Sequence, residues 1–530
     1  MSASFDAIVV GAGHNGLVAA VTLAEAGWDV VVVEANAHPG GALSSGELTR
    51  PGYVHDRFAT NLNLFLASAF YADHNGALAR HGFVAATSPR PFATAFAGGA
   101  ALGVTTDLDE TLARLSAHDR ADAAGWRRLH ELFGRLAPTL FALYGARVPS
   151  ISMGRLLAGG LWRLGRNGSE ELARLLLSSC RELLDDTLAT DEAKALIAPW
   201  GLHLDFGPDV AGGAVFPFLE AFADQSVGMS VARGGASRLV DALCALLVAH
   251  GGTLRTCARV TRITTSGGRA TGVELASGER LAARRAVLAC VTPTALAAEL
   301  LAPGDLPAPA QRSLAAYRYG PATMMVHLAL AGPIPWSAGT DLASFAYVHV
   351  AAGLDELART YSDALAGRLP ANPLLVVGQT SAVDPTRAPE GGHVVWIQVR
   401  ALPRRILDDP GGELAGQSWD EAAEPYAERV IDQLERHAPG TRGLVTGRAV
   451  LSPADLERHD ANLAGGDSIS GSMHLAQSFL FRPALGMSGY RTPLPGLLLI
   501  GAGTWPGPGL NAVSGQRAAG LVLDRSRRWW

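Results

Sequence analysis

The chain of 530 residues has 44 basic side chains, and a single one of them is a lysine, Lys194. That bias is a mark of GC-rich, bacterial-style coding. Cysteine is scarce too: Cys180, Cys244, Cys257 and Cys290 form no C-x-x-C pair. This argues against a disulfide scaffold, a dithiol redox motif or a Cys-rich metal site, and no metal is expected. No uninterrupted apolar run reaches about 18 residues, so no spanning helix is expected. No basic n-region precedes the apolar residues 5–10, which argues against a signal peptide and for a cytoplasmic location. Positive charge is not in excess. The net charge is −5, which removes the basic field that nucleic acid binding requires. What remains is a chain 48% hydrophobic and 18% charged, too apolar for general disorder. It is long enough for two or three domains at roughly 100–200 residues each. A mean hydropathy of +0.17 is high; a large Ala/Leu-rich core, a greasy internal cavity or a patch resting on a membrane each accounts for it.

The first forty residues carry the most specific signal. An apolar strand, residues 5–10, runs into Gly11-Ala-Gly-His-Asn-Gly16, then a helical stretch to Gly27, then a second apolar strand ending at Glu34, 23 positions after Gly11. Each part has a physical role in holding a dinucleotide. Gly11 permits the turn, Gly13 lets backbone approach a pyrophosphate, and Gly16 lets helix and strand pack closely. The phosphates sit at the helix N-terminus beside His14 and Asn15, where free N–H groups favour negative charge. Glu34, followed by Ala35, accepts from ribose hydroxyls. Pro39-Gly-Gly-Ala42 then places Gly40, Gly41 and Ala42 where backbone approaches a second part of an extended cofactor. A nicotinamide dinucleotide does not generally need that pair.

With these motifs the sequence resembles the phytoene desaturase-like FAD-dependent oxidoreductases. Within them it is most similar to the branch of pyridine nucleotide-disulphide oxidoreductase domain-containing protein 2, although this chain lacks the dithiol. Three blocks carry the resemblance: residues 8–58, 232–293 and 465–523. The resemblance implies FAD as cofactor and an α/β fold, in which a Rossmann-type, glutathione-reductase-like FAD-binding domain interleaves with an α+β substrate domain. The FAD-binding domain takes residues 1–64, 229–299 and 481–530. The substrate domain takes 65–228, mostly helical, and 300–480.

In the second block, Gly-Gly pairs punctuate short β-rich runs that read as a meander followed by a buried strand; the resemblance places the Val260 backbone at the adenine. In the third, a strand at 497–500 meets Gly501-Ala-Gly503, and a helix follows Val513. Backbone there, at Ala502, Gly509, Asn511 and Ala512, faces the flavin's pyrimidine edge in the resemblance. Trp505 and Pro508 depart from the fuller glycine run of the family.

In the remaining regions, apolar residues at 3–4 spacing predict helices after Asp119 and over 169–184. Strands are predicted at 323–330, 374–378 and 393–399, and a helix over 418–437. His327, His349 and His393 lie in the strand-like runs and read as core or cavity-lining residues. Arg57, His474 and Gln477 are the candidates for touching substrate, Arg57 being equally compatible with a structural ion pair. One complete G-x-G-x-x-G makes a second bound nucleotide unexpected, so electrons leave to oxygen, a quinone or another acceptor. Flavin amine oxidases of similar fold place a lysine near flavin N5, and Lys194 falls outside every block.

These features imply dehydrogenation of an apolar, carotenoid- or isoprenoid-like small molecule. A redox-neutral isomerase or saturase of polyenes, an amine or small-molecule oxidase, and a non-catalytic flavin-binding protein are the alternatives. The Arg- and Trp-rich tail, residues 525–530, is either solvated or a peripheral membrane contact. Neither the substrate nor the oligomeric state is readable.

Overall fold

The computed structural model describes residues 3–351 and 353–524. The tail at 525–530 lies outside the described residues.

Two seven-stranded sheets organise the chain. At the centre of the first, Ser4–Val10 pairs in parallel with Val30–Val33 on one side and with the long strand Arg280–Ala289 on the other. Val30–Val33 is all valine and buried on both faces, as parallel strands covered by helices require. Thr253–Arg255 extends the sheet beyond Val30–Val33, and Leu497–Leu499 pairs in parallel with the end of Arg280–Ala289. Val260–Ser266 and Arg269–Leu275 form the expected meander beyond its beginning. The helices His14–Glu25, Ser237–Ala249 and Val513–Leu523 pack together on one face around Leu17, Val21, Leu243 and Ala518. Three segments hundreds of residues apart thus build one Rossmann-type sheet.

The second sheet runs in the order Val445–Leu451, Ala322–Leu330, His393–Leu402, Leu374–Gly378, Tyr347–Val350, Phe92–Ala95, Ala101–Val104. It is antiparallel except where Tyr347–Val350 meets Phe92–Ala95. The mostly helical first region therefore supplies two strands to a sheet otherwise made by residues 322–451. His393–Leu402 alternates between two surroundings, as the period of a strand dictates. Val395, Ile397 and Val399 pack in the same core as Val430 and Leu434 of the helix Trp419–His437. Trp396, Gln398 and Arg400 face the other way.

The helix predicted over 169–184 is two helices. Ile151–Leu177 ends at the Ser178-Ser179 pair, and a new helix, Cys180–Asp185, starts there. Ser179 caps it reciprocally, its hydroxyl taking the Glu182 N–H at 3.2 Å and its own N–H donating to the Glu182 carboxylate at 2.7 Å. A serine in this position competes with the helix for its own hydrogen bonds, and a capping box won over apolar periodicity.

The sheets are tied by a fully buried arginine. Arg387 meets Asp56 at 3.0 Å and Asp384 at 3.1 Å, and its guanidinium also donates to the Ala232 carbonyl at 2.8 Å. Asp56 in turn accepts from the Ala236 N–H, the Ser45 hydroxyl and the Thr60 hydroxyl. Replacing Arg387 with Met leaves the buried Asp56 without a cation and Asp384 with only the exposed Arg233 at 4.0 Å. Chemical denaturation should show a loss of about 3–5 kcal/mol; an unchanged midpoint would show that the triad does not hold the sheets.

Candidate functional site

Between the sheets lies a cavity of about 630 Å³. One end is made by the glycine turns of the first sheet. Gly11 leaves the first strand at φ +95°, and a Cβ on Gly16 would stand 2.1 Å from the Gly11 carbonyl, so only glycine lets the helix start this close to the strand. Gly13 is the opposite case: nothing lies within 4 Å of where its Cβ would be, and it lines the cavity at the N-terminus of His14–Glu25. That open space beside free N–H groups suits a pyrophosphate.

Glu34 is almost buried, and its carboxylate is held by the Ala12 N–H at 2.8 Å and the Asn36 N–H at 2.9 Å. Each oxygen keeps a second acceptor position, which suits a ribose diol. Asp460 closes over the same end, one oxygen 3.1 Å from where a Gly41 Cβ would be; burial pushes its carboxyl up to about 6, with the Glu34 charge adding to the shift. At the other glycine turn, Arg482 is fully buried and donates to the carbonyls of Ala502 at 2.7 Å and Ser472 at 2.8 Å. The residues present therefore fit an extended dinucleotide.

Every predicted cofactor residue lines this cavity except three: Gly11, Gly13, His14, Asn15, Glu34, Ala35, Gly40, Gly41, Ala42, Val260, Gly501, Ala502, Gly503 and Gly509 all do so. Gly16 sits behind Gly11. Asn511 spends its amide on the carbonyls of Gly507 and Pro508 and on the Tyr144 hydroxyl, and Ala512 is fully buried at the start of the last helix.

The three predicted substrate residues lie outside the lining. Arg57 reaches the Ser44 hydroxyl at 3.4 Å and the His459 ring at 3.5 Å. The His474 ring meets the Asp205 carbonyl at 2.6 Å, and the Gln477 side chain is spent on the backbone of Arg318 and Ser472. These are ties between loops. Lys194 pairs with Asp185 at 2.7 Å, also away from the cavity. His327 and His349 are fully buried in the second sheet.

What sequence reasoning missed is the second half of the wall. Trp396 donates its indole N–H to the Phe58 carbonyl at 2.9 Å and stacks on Tyr347 with ring centres 5.5 Å apart. Trp200 also stacks on Tyr347, with ring centres 6.3 Å apart. Glu220 also lines the cavity, and burial pushes its carboxyl up to about 7. One turn on, Asp224 is raised further by burial and by the Glu220 charge, and it accepts from the Asn63 amide at 2.7 Å. A signal existed for part of this wall: in Val395-Trp-Ile-Gln-Val-Arg400 the larger polar and aromatic side chains recur at every second position of an otherwise aliphatic strand.

A glycine-turn dinucleotide site closed over by a second, antiparallel sheet defines a flavin-dependent oxidoreductase. The chain belongs to the flavin containing amine oxidoreductase family, whose model matches residues 16–398. Among curated relatives, the pyridine nucleotide-disulfide oxidoreductase domain-containing protein 2 of Rattus norvegicus is 29% identical, over 98% of this chain and 93% of its own length. The hydroxyneurosporene desaturase of Cereibacter sphaeroides is also 29% identical, over 97% of each chain. Among solved structures, an oxidoreductase from Methanosarcina mazei superposes with a TM-score of 0.63 at 16% identity, covering 98% of this chain and all of that one. That likeness concerns the fold alone.

Two predictions follow the geometry. Glu34→Ala removes hydrogen bonds from a charged acceptor, each contributing about 1.5–3 kcal/mol. Flavin retention on dialysis should weaken by about 10- to 100-fold, read from the visible-to-ultraviolet absorbance ratio; unchanged retention would count against this end as the ribose site. Glu220 is raised from 4.5 to about 7 by burial, so its charged form is disfavoured by folding. Its contribution to stability is lost as pH rises from about 4.5 to 7. Denaturation of wild type and Glu220→Gln across that range should show the gap widening in favour of the variant as pH rises.

Proposed function

We propose that the protein is an FAD-dependent dehydrogenase that removes two hydrogens from an isoprenoid- or carotenoid-like chain. The observation that carries this reading is the continuity of the cavity: a dinucleotide cradle at one end opens directly onto a wall of Trp200, Phe216, Tyr347 and Trp396. FAD held by Gly13, Glu34 and Val260 supplies the two-electron acceptor. The chain's own residues bind and orient. The aromatic wall excludes water and aligns a flat polyene, which matters because such a substrate offers no acidic proton to a base. Glu220, poised near neutrality, is the group that can take up the proton released beside it.

Relatives support the substrate class. Beside the hydroxyneurosporene desaturase, a phytoene dehydrogenase of Streptomyces griseus matches over 97% of this chain at 27% identity. No lysine lines the cavity, which weighs against the lysine-dependent amine oxidase chemistry that the family name suggests. The electron acceptor on this reading is oxygen or a quinone. Among the described residues no helix is long and apolar enough to cross a membrane.

The test is anaerobic mixing of the flavin-loaded protein with candidate polyenes. Bleaching of the visible flavin band, with a product lighter by two hydrogens, is the expected outcome. Bleaching by primary amines instead would return the chemistry to amine oxidation. Altered product geometry at unchanged mass would make it an isomerase.

A further inference from the structure

We infer that the cavity binds a carboxylate on the substrate, with Arg400 as its anchor. This rests on the reading of the cavity as a substrate chamber and narrows the substrate to an amphipathic molecule, apolar at the reacting end and acidic at the other.

The placement follows from strand geometry. Trp396, Gln398 and Arg400 share one face of His393–Leu402 and all line the cavity. At about 3.3 Å per residue, Trp396 and Arg400 stand roughly 13 Å apart along the wall. Trp396 is at the cofactor end, bonded to the Phe58 carbonyl. Arg400 stands farther along the strand, beside His203 and Ser468.

Arg400 is only 9% exposed. Its Nη1 donates to the Ser468 hydroxyl at 3.0 Å and to the His203 carbonyl at 3.4 Å, while its Nε is buried with no partner. Among the described residues no carboxylate forms an ion pair with it. The two nearby acids are taken up elsewhere. Asp467 accepts from the N–H groups of Gly320, Ile469 and Gly471, and Asp205 accepts from the Tyr361 hydroxyl at 2.8 Å.

The neighbouring histidines bring no negative charge. A guanidinium stays protonated even here, where burial lowers it to about 10. An unpaired, nearly buried cation is a cost to the fold that an arriving anion offsets. Nη2, which makes no hydrogen bond among the described residues, is the guanidinium nitrogen left to donate to a carboxylate oxygen. Gln398, whose amide has no hydrogen-bond partner among the described residues, stands one position along to take a second contact. A single positive charge at this anchor matches one negative charge, which favours a carboxylate over a phosphate dianion.

The experiment compares all-trans-retinoic acid with its methyl ester as probes of the flavin-loaded protein, binding being followed by quenching of tryptophan fluorescence. The acid is expected to bind about 10- to 100-fold more tightly than the ester, the range for a charged hydrogen-bonded pair. Arg400→Met should abolish that preference while leaving the ester's affinity unchanged, and Arg400→Lys should restore part of it. Arg400→Met should also melt no lower than wild type, since it removes an unpaired buried charge; an arginine with a purely structural role would lower the melting temperature.

Equal binding of acid and ester, a preference that survives in Arg400→Met, no binding of either probe, or retinyl phosphate displacing the acid would each overturn the assignment. These outcomes are separate from flavin bleaching. A flavin that neither probe reduces, with the acid preference intact and lost in Arg400→Met, sinks the dehydrogenase reading and leaves the anion site standing.

Discussion

Arg387 lies where the two sheets meet, with no solvent contact, between Asp56 and Asp384. Burying three charges is costly, and the cost is recovered only when every donor and acceptor is matched in position. That requirement fixes three segments against one another. Asp56 belongs to the stretch that leads into Phe58, Ala59 and Thr60 on the cavity wall. Ala232 and Gly234, whose backbone joins the network, precede the helix Ser237–Ala249 under the first sheet. Asp384 and Arg387 follow the strand Leu374–Gly378 of the second sheet.

The cavity that results is lined by carboxylates, aromatic rings and guanidinium groups. At the glycine end, backbone N–H groups of a helix start face outward, and the nearby carboxylates Glu34 and Asp460 sit where hydroxyl groups rather than phosphates are expected. In the middle, stacked rings of Trp200, Tyr347 and Trp396 offer neither charge nor flexible dipoles. Arg400, like Arg259 and Arg458, puts positive charge on the same lining. Glu220 adds a carboxyl whose protonation is balanced near neutral pH by burial, beside the aromatic section where a proton would be released.

The cofactor end was legible in the chain because it is local. Gly11, Gly13, Gly16 and Glu34 fall within two dozen residues, and the strand, turn, helix and strand that carry them are neighbours in sequence as well as in space. Gly16 lets helix and strand pack closely, as its spacing from Gly11 implied; Asn511 and Ala512 lie outside the cavity lining. The rest of the cavity wall was not legible in the same way. Arg57, His474 and Gln477 stand near the cofactor blocks in sequence, yet their side chains are used to join loops, since a polar group in a crowded loop is captured by the nearest unsatisfied backbone. Trp200, Glu220, Tyr347 and Arg400 come from four distant elements and converge through the second sheet and its helical cover.

By itself the sequence determined the identity of the cofactor cradle, the valine-rich parallel strands around it and the alternation along residues 395–400, since each depends on spacing between near neighbours. Only the tertiary structure decided that this alternation faces a cavity and that Arg400 is left without a carboxylate partner. It likewise decided that Arg387, ordinary in the sequence, is buried between two acids. Those outcomes depend on which distant acids reach a given guanidinium first. Side-chain pairing in a buried site is settled by the packing of whole sheets, which no short stretch of chain encodes.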